Sequence, residues 1–185
     1  METSIIFAGF GGQGVLFAGQ LLAYAGMDSG RHVTWIPSYG PEMRGGTANC
    51  TVIISEETVG APIVSRPDIA VVLNRPSFDK YEPLVNAGGL LVVNSSLVTA
   101  VSFREDIETI YIPANEIAEE SGSVKMLNVA TLGALLARRP ILPLEKMAQA
   151  LVDHLPAKKA NLLDSNLAVL QSGYDYAAQG ELAPV

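Results

Sequence analysis

The chain has 185 residues, of which 49% are hydrophobic and 17% charged, enough apolar material for a single domain over residues 1–185 with a substantial core. Its formal net charge of −7, with Lys and Arg scattered rather than clustered, argues against a nucleic-acid partner. The mean hydropathy of +0.28 is high, yet no apolar run approaches the roughly 18 residues of a membrane span, and no signal-peptide pattern is present. We therefore expect a cytoplasmic protein whose apolar excess lies in its core and in subunit contacts.

The first predicted unit is a strand, a glycine-rich turn and a helix. An apolar strand at residues 5–8 precedes Gly9-Phe10-Gly11-Gly12-Gln13-Gly14, and an apolar-periodic helix follows over residues 15–27. Glycine permits positive φ, and the first N–H groups of a helix lack intrahelical partners. Gly11, Gly12, Gln13 and Gly14 are therefore candidates to bind an anion such as a phosphate.

The same turn matches the dinucleotide fingerprint Gly-x-Gly-x-x-Gly in its letters. That fingerprint also requires an acidic residue about 20 positions later, at the end of the second strand, to hold a ribose hydroxyl. Residues 32–37 (His-Val-Thr-Trp-Ile-Pro) supply no carboxylate there. Three alternatives remain open from these residues: an NAD-type site, a site for another phosphate-bearing ligand, and close packing of helix on strand with no ligand.

A long loop lies between two extended segments. Residues 32–36 are predicted as the second strand, and residues 38–46 as a functional loop, because three glycines and a proline frame Glu42 and Arg44. Arg44 is a candidate positive charge for the anion site. Residues 47–55 are predicted as the next strand, with residues 59–64 as its antiparallel edge partner.

The middle of the chain alternates apolar strands with helices. Strands are predicted at residues 68–73, 90–94 and 110–112, and helices at residues 78–85 and 114–120. This alternation predicts an α/β fold: a three-layer αβα open sheet, mostly parallel, with room for an antiparallel edge pair. Asn74 and Asn94 follow two of these strands, so they either share a rim with the glycine turn or form local Asx turns.

The C-terminal third is predicted to be helical. Residues 126–136 are apolar on nearly every side, whereas the segments that begin at Leu144 and Leu163 are amphipathic. An all-round apolar helix must be covered on every side. We therefore expect this helix, together with residues 39–46, at a surface buried by a partner subunit or by self-association.

The sequence lacks the residues of a complete active site. The one cysteine, Cys50, lies in a predicted strand and is interpreted as a small core residue. His32 and His154 lie outside loops suited to a catalytic base, and no group of His, Cys and carboxylates has metal-ligand spacing. We therefore expect no catalytic and no metal-binding residue on this chain.

Four segments together resemble the gamma subunit of 2-oxoacid:ferredoxin oxidoreductases. They are residues 11–15, 37–46, 66–68 and 128–133. The run Tyr-Gly-Pro-Glu-Met-Arg-Gly-Gly over residues 39–46 is long and unusual, so the resemblance is more specific than the glycine turn alone. Residues 74–77 (Asn-Arg-Pro-Ser) and 94–97 (Asn-Ser-Ser-Leu) are most similar to the 2-oxoglutarate branch.

The resemblance implies a non-catalytic subunit of a larger oxidoreductase. In that family, alpha and beta subunits hold thiamine diphosphate, [4Fe-4S] clusters pass electrons to ferredoxin, and coenzyme A receives the acyl group. The expected partners are alpha and beta subunits, a delta subunit in assemblies that have one, and ferredoxin through the complex; no cofactor is expected on this chain alone. The competing interpretation is a free-standing α/β module that binds a nucleotide or another phosphate ligand.

Overall fold

The computed structural model describes residues 2–39 and 46–180, except for the side chain of Tyr39. The strands and helices in chain order are β1 (Glu2–Phe10), α1 (Val15–Asp28), β2 (His32–Tyr39), β3 (Thr47–Ser55), β4 (Ile69–Val72), α2 (Arg75–Tyr81), β5 (Leu90–Asn94), β6 (Glu108–Ile112), α3 (Ala114–Glu120), α4 (Leu127–Arg138), α5 (Leu144–His154) and α6 (Leu163–Ala178). Short 3-10 helices occupy Glu82–Leu84, Val124–Met126 and Ala157–Leu162. Of the helices described, none has the length and apolar character needed to cross a bilayer.

Six strands form one mixed sheet in the order β2-β3-β1-β4-β5-β6. Strands β1, β4, β5 and β6 run parallel, with Ala8 opposite Val72 and Val72 opposite Val93. Strand β3 lies antiparallel between β1 and β2. The predicted α/β open sheet, mostly parallel with an antiparallel pair at one edge, is therefore confirmed.

The edge partner of β3 is β2, so the prediction for residues 59–64 is wrong. Strand β2 pairs with β3 over its whole length, from His32 opposite Ser55 to Tyr39 opposite Ala48. Strand β1 pairs along the other side of β3, so both sides of β3 are already hydrogen-bonded. Residues 59–64 lie outside the sheet, and Pro62 has no N–H to donate to a strand ladder.

Helices cover the two faces of the sheet unequally. The larger core contains Ile5 and Val71, which pack with side chains of α1, α4, α5 and α6. The smaller core contains Ala8 and Val72, which pack with Phe78 of α2. Because side chains alternate along a strand, neighbouring residues belong to different cores. The third layer, which covers the smaller core, is therefore thin and consists of α2 and connecting segments.

Helix α4 is buried by its own chain, which corrects the prediction that a partner subunit or self-association covers residues 126–136. Every residue from 127 to 136 is buried. Helix α6 packs directly on α4, because a Cβ on Gly133 would overlap the carbonyl of Leu170, and a Cβ on Gly173 would overlap that of Ala130. Two glycines thus let the helix backbones approach closely, and the apolar surface of α4 becomes core.

Candidate functional site

The carboxyl ends of β1 and β4 form a switch point in the sheet. The two strands are parallel neighbours, but α1 follows β1 on the face of the larger core, and α2 follows β4 on the face of the smaller core. Open α/β sheets bind ligands at such points, because the diverging helices leave a crevice. The glycine turn, residues 9–14, lies at this crevice.

Two glycines of the turn adopt backbone conformations that other residues rarely adopt. Gly12 has a φ of +101° and Gly14 a φ of +74°. Within residues 2–39 and 46–180, a Cβ on Gly12 would meet no atom within 4 Å, so this part of the structure leaves the turn open at that point. A Cβ on Gly14 would collide with the side chain of Asn128, whose Nδ2 donates to the Gly14 carbonyl at 3.1 Å. Gly12 therefore leaves room for a ligand, whereas Gly14 is required for packing.

The side chain of Gln13 spans the switch point. Its Oε1 accepts a hydrogen bond from the Phe10 N–H at 2.6 Å, and its Nε2 donates to the Leu73 carbonyl at 3.3 Å. A Cβ on Gly9 would lie 2.7 Å from Oε1, so the Gln13 amide rests directly against the end of β1. Gln13 thus occupies the crevice that a dinucleotide would enter.

The amino end of α1 offers free backbone N–H groups. Among the residues described, no side chain caps this end, and the first turn contains no acidic residue. The first N–H groups of the helix therefore remain available to an anion. A cavity of about 310 Å³ lies beside them, between the glycine turn, the first turn of α1 and residues 46–48. Its side-chain wall is apolar and includes Phe10 and Phe17.

A cation that sequence reasoning missed contacts Phe17, one of the residues that line this cavity. Lys159, in the 3-10 helix between α5 and α6, places its Nζ 5.6 Å from the centre of the Phe17 ring, a cation–π distance. Phe17 also lines the cavity, so Lys159 contacts a residue of the cavity wall without lining the cavity itself. No local pattern distinguishes Lys159 from a solvated surface lysine. Arg44, the predicted cation, lies outside the described residues, as does the rest of residues 40–45.

Asn74 follows β4 and Asn94 is the last residue of the neighbouring strand β5, at the same edge of the sheet, but both are buried. Asn74 Oδ1 caps α2 by accepting a hydrogen bond from the Ser77 N–H at 2.9 Å, which confirms the local-turn alternative for this residue. Asn94 Nδ2 donates to Asn115 Oδ1 at 3.1 Å. The exposed fractions of Asn74 and Asn94 are 2% and 0%, and neither lines the cavity beside the glycine turn.

Cys50 is a core residue, as predicted. Burial raises the pKa of its thiol to about 12, and its Sγ donates to the Val15 carbonyl at 3.6 Å. A thiol with this pKa stays protonated at neutral pH and is a poor nucleophile. Within residues 2–39 and 46–180, no three His, Cys, Asp or Glu side chains are grouped as a metal site requires.

Known proteins of one kind are similar to this chain. Residues 4–176 match the family model described as pyruvate ferredoxin/flavodoxin oxidoreductase. The chain is 35% identical to the 2-oxoglutarate synthase subunit KorC of Methanocaldococcus jannaschii, over 97% of this chain and 96% of the relative. It is 40% identical to the ketoisovalerate oxidoreductase subunit VorA of Methanothermobacter marburgensis over 95% of this chain, but it spans only 37% of the length of that relative.

Solved structures share the fold. The gamma subunit of a keto/oxoacid ferredoxin oxidoreductase from Geobacter sulfurreducens has a TM-score of 0.85 and 29% identity, covering 97% of this chain and 98% of that one. A 2-oxoglutarate:ferredoxin oxidoreductase from Magnetococcus marinus, with 2-oxoglutarate, coenzyme A and succinyl-CoA bound, has a TM-score of 0.87. Its identity is 23% and the match covers 98% of this chain but 32% of that chain, so this likeness shows the fold alone.

Proposed function

This chain belongs to the pyruvate ferredoxin/flavodoxin oxidoreductase family, and from this premise we propose that it is the gamma subunit of a 2-oxoacid:ferredoxin oxidoreductase. The observation that carries the proposal is the match with KorC, a subunit of nearly the same length, since the alignment covers 97% of one chain and 96% of the other. The assembled enzyme would oxidatively decarboxylate a 2-oxoacid, form an acyl-CoA and pass the electrons to ferredoxin.

The substrate we infer is 2-oxoglutarate. The full-length match with KorC supports it, as does the similarity of residues 74–77 and 94–97 to the 2-oxoglutarate branch. Ketoisovalerate is the alternative, which the 40% identity with VorA favours. Because the reacting centre would lie on other subunits, the comparison of the two 2-oxoacids must be made with the assembled enzyme.

The partners we infer are an alpha and a beta subunit, with a delta subunit where the assembly has four kinds of chain, and ferredoxin through the complex. Thiamine diphosphate and the [4Fe-4S] clusters are assigned to those partners. The chain itself would be a one-domain subunit in the cytoplasm. Its own chemical contribution would be to hold coenzyme A, the substrate that receives the acyl group.

The glycine turn is the proposed site for a phosphate of coenzyme A. Gly11, Gly12, Gln13 and Gly14 surround the free N–H groups of α1, and the turn is open at Gly12. A helix N-terminus contributes only about 0.3–1 kcal/mol to an exposed anion, so the turn alone would bind weakly. A cation is needed for a stronger, charge-assisted contact, and Arg44 and Lys159 are the proposed sources.

The Gln13 side chain would both hold the glycine turn in place and donate a hydrogen bond to the ligand. Its Oε1 and one N–H of Nε2 bind Phe10 and Leu73 within the chain. The second hydrogen on Nε2 is the one that a phosphate oxygen would accept. The side-chain amide would therefore fix the turn first and contribute a single donor to the anion.

Two glycines with positive φ provide a matched test of the site. Gly12 and Gly30 have φ values of +101° and +75°, and among the described residues a Cβ on either would meet no atom within 4 Å. Gly12→Ala and Gly30→Ala should each cost about 1 kcal/mol of stability through backbone strain. Only Gly12→Ala should raise the KM for coenzyme A of the complex reconstituted with alpha and beta subunits. Equal KM values for the two variants would show that the turn packs and does not bind.

Co-purification tests the subunit assignment itself. A tagged chain expressed with the alpha and beta subunits should purify with both, and the complex should reduce ferredoxin when given a 2-oxoacid and coenzyme A. A chain that stays alone and binds a nucleotide or coenzyme A by itself would instead support the free-standing module.

A further inference from the structure

Phe103 is 92% exposed, although it lies in a segment that is fixed to the rest of the fold. We call this segment, residues 98–106 between β5 and β6, the Phe103 strap. The strap begins at Val98, which is buried in the smaller core, and Ala100 packs against the same core. The aromatic side chain is therefore presented to solvent by the thin layer of the sandwich.

The residue before Phe103 is fixed from two directions. The Ser102 N–H donates to Tyr111 Oη at 2.7 Å, and Ser102 Oγ donates to Glu82 Oε1 at 2.6 Å. Tyr111 belongs to β6 and is 4% exposed, while Glu82 begins the 3-10 helix after α2. Ser102 thus joins the strap to both the sheet and the helical layer.

The residue after Phe103 is fixed even more firmly. Arg104 Nη1 donates to the carbonyls of Glu82 and Val85 at 2.9 and 2.8 Å. The same guanidinium forms a bidentate pair with Asp106, with Nε at 2.8 Å from Oδ1 and Nη2 at 2.5 Å from Oδ2. The backbone on both sides of Phe103 is therefore ordered before any partner arrives, which lowers the entropy cost of binding through it.

We propose that Phe103 is the aromatic anchor of a subunit interface and inserts into an apolar pocket of a catalytic subunit. This inference rests on the proposed function, which requires such a partner. Binding energy at interfaces concentrates in a few residues, and rigid aromatic side chains in desolvated pockets are prominent among them. Val101, which is 43% exposed, adds a second exposed apolar side chain to the Phe103 strap.

The charges around Phe103 specify the rim of that pocket. Glu82, Glu105 and Asp106 carry three carboxylates, against Arg104 in the strap, which pairs with Asp106, and Lys80, whose Nζ lies over the ring of Tyr81. Because charges across an interface are complementary, we expect Lys or Arg side chains around the partner's pocket, opposite this excess of carboxylates. It also disfavours a second copy of this chain as the partner, because a two-fold interface would bring two acidic rims together.

The test is assembly of the complex with alpha and beta subunits, measured as a Kd. Phe103→Ala should weaken assembly by about thirtyfold, the size of a hot-spot loss. The same variant should melt like the wild-type chain, because the side chain is exposed. Met27→Ala is the matched control: Met27 is 57% exposed on α1, over the opposite face of the sheet, and its truncation should change the Kd by about twofold or less.

Two further variants test the rigidity of the Phe103 strap and the charge around Phe103 separately. Arg104→Ala keeps the aromatic ring but frees the strap, so it should give a loss of affinity smaller than that of Phe103→Ala. Glu105→Lys should slow association at low salt, and the difference from wild type should shrink as the ionic strength rises.

Each outcome decides the inference. If Phe103→Ala assembles as tightly as Met27→Ala, the proposal that Phe103 anchors the interface is wrong, while the assignment of the chain as a subunit stands. If the wild-type chain does not assemble with the catalytic subunits, both fail. If Phe103→Ala leaves the Kd unchanged but converts a dimer of the isolated chain into a monomer by light scattering, the surface belongs to a homodimer and the inference is overturned.

Discussion

Asn128 Nδ2 donates a 3.1 Å hydrogen bond to the carbonyl of Gly14, which joins the first turn of α4 to the start of α1 across 114 sequence positions. Asn128 is 3% exposed, and its own carbonyl accepts a hydrogen bond from Thr131 Oγ1 at 2.8 Å. Because Gly14 ends the glycine turn, the placement of α4 in the larger core fixes the turn as well. The geometry of the proposed phosphate site therefore depends on a helix that does not line it.

Asn128→Ala should lower the free energy of unfolding by about 1–2 kcal/mol, because a buried hydrogen bond is lost while the Gly14 carbonyl keeps the N–H of Ala18 as a partner. Urea denaturation measures the change. Asn161→Ala, at an exposed position, is the control and should unfold like wild type. Equal stability of the two variants would contradict a structural role for the hydrogen bond.

The crossing of α4 and α6 leaves no space for a methyl group. Gly133→Ala and Gly173→Ala should each destabilise the chain by about 3 kcal/mol or more, since the added Cβ meets backbone atoms that no side-chain rotation can move. Gly60→Ala is the matched control, because its Cβ would meet no atom of the described residues within 4 Å. Thermal unfolding should show a lower Tm for the two core variants and an unchanged Tm for the control. A tolerated alanine at either crossing position would show that the helices can separate.

The elements that depend on local pattern were predictable from the sequence, and the pairings between them were not. Helix α3 has the predicted bounds, Ala114–Glu120, and β5 follows the apolar run at residues 90–94. The choice of β2 rather than residues 59–64 beside β3 is a long-range competition that no local pattern records. The cover of α4 was missed for the same reason, because it requires two distant glycines, Gly133 and Gly173, to meet.

The candidate site also combines a feature that the local sequence predicts with features that depend on tertiary structure. The glycine turn at the end of β1 is a local signal, and it was recognised as a candidate anion site from the sequence. The bridge from Gln13 to the Leu73 carbonyl requires β4 to lie beside β1, and the position of Lys159 near Phe17 requires the connection between α5 and α6 to return to α1. Both facts belong to tertiary structure and carry no sequence pattern of their own.

The Asp68 carboxylate links the start of β4 to β1. Its Oδ2 accepts hydrogen bonds from the Ser4 N–H at 2.9 Å and from Ser4 Oγ at 2.7 Å, and its Oδ1 accepts from Asn86 Nδ2 at 2.9 Å. Burial opposes ionisation, but these hydrogen bonds outweigh it and hold the pKa of Asp68 below its ordinary value. The stabilisation is therefore present above the unfolded-chain pKa of about 3.9 and is lost as the pH falls through the lower folded-state pKa.

Asp68→Ala should accordingly reduce the free energy of unfolding at neutral pH by about 1–2 kcal/mol, the loss expected for hydrogen bonds to a charged group that solvent still reaches. The gap between wild type and variant should narrow below about pH 4. Denaturant titrations across this range measure both effects, with Glu57→Ala at an exposed position as the control. A gap that stays constant with pH would show that the carboxylate does not contribute through its charge.

Cys50 should be inert while the chain is folded. Its thiol is 0% exposed and its pKa is raised to about 12 by burial, so the reactive thiolate is scarce at neutral pH. Labelling with a thiol reagent should be slow in buffer and complete in concentrated guanidinium chloride. Rapid labelling of the native chain would mean that β3 opens readily or that Cys50 lies elsewhere.

Lys159 should contribute to coenzyme A use by the assembled enzyme, although it lies far from the glycine turn in sequence. Its Nζ lies 5.6 Å from the ring centre of Phe17, which lines the cavity beside the free end of α1. A cation near a phosphate at a partly exposed site contributes about 1 kcal/mol, so Lys159→Gln should raise the KM for coenzyme A about fivefold and leave kcat nearly unchanged. The KM of the wild-type complex should also rise more steeply with salt than that of the variant, because screening removes the same interaction.

Lys158→Gln removes an equal charge from the adjacent position and is the control. If both lysine variants shift the KM equally, the effect is a general change in net charge, and the assignment of Lys159 to the phosphate site is wrong.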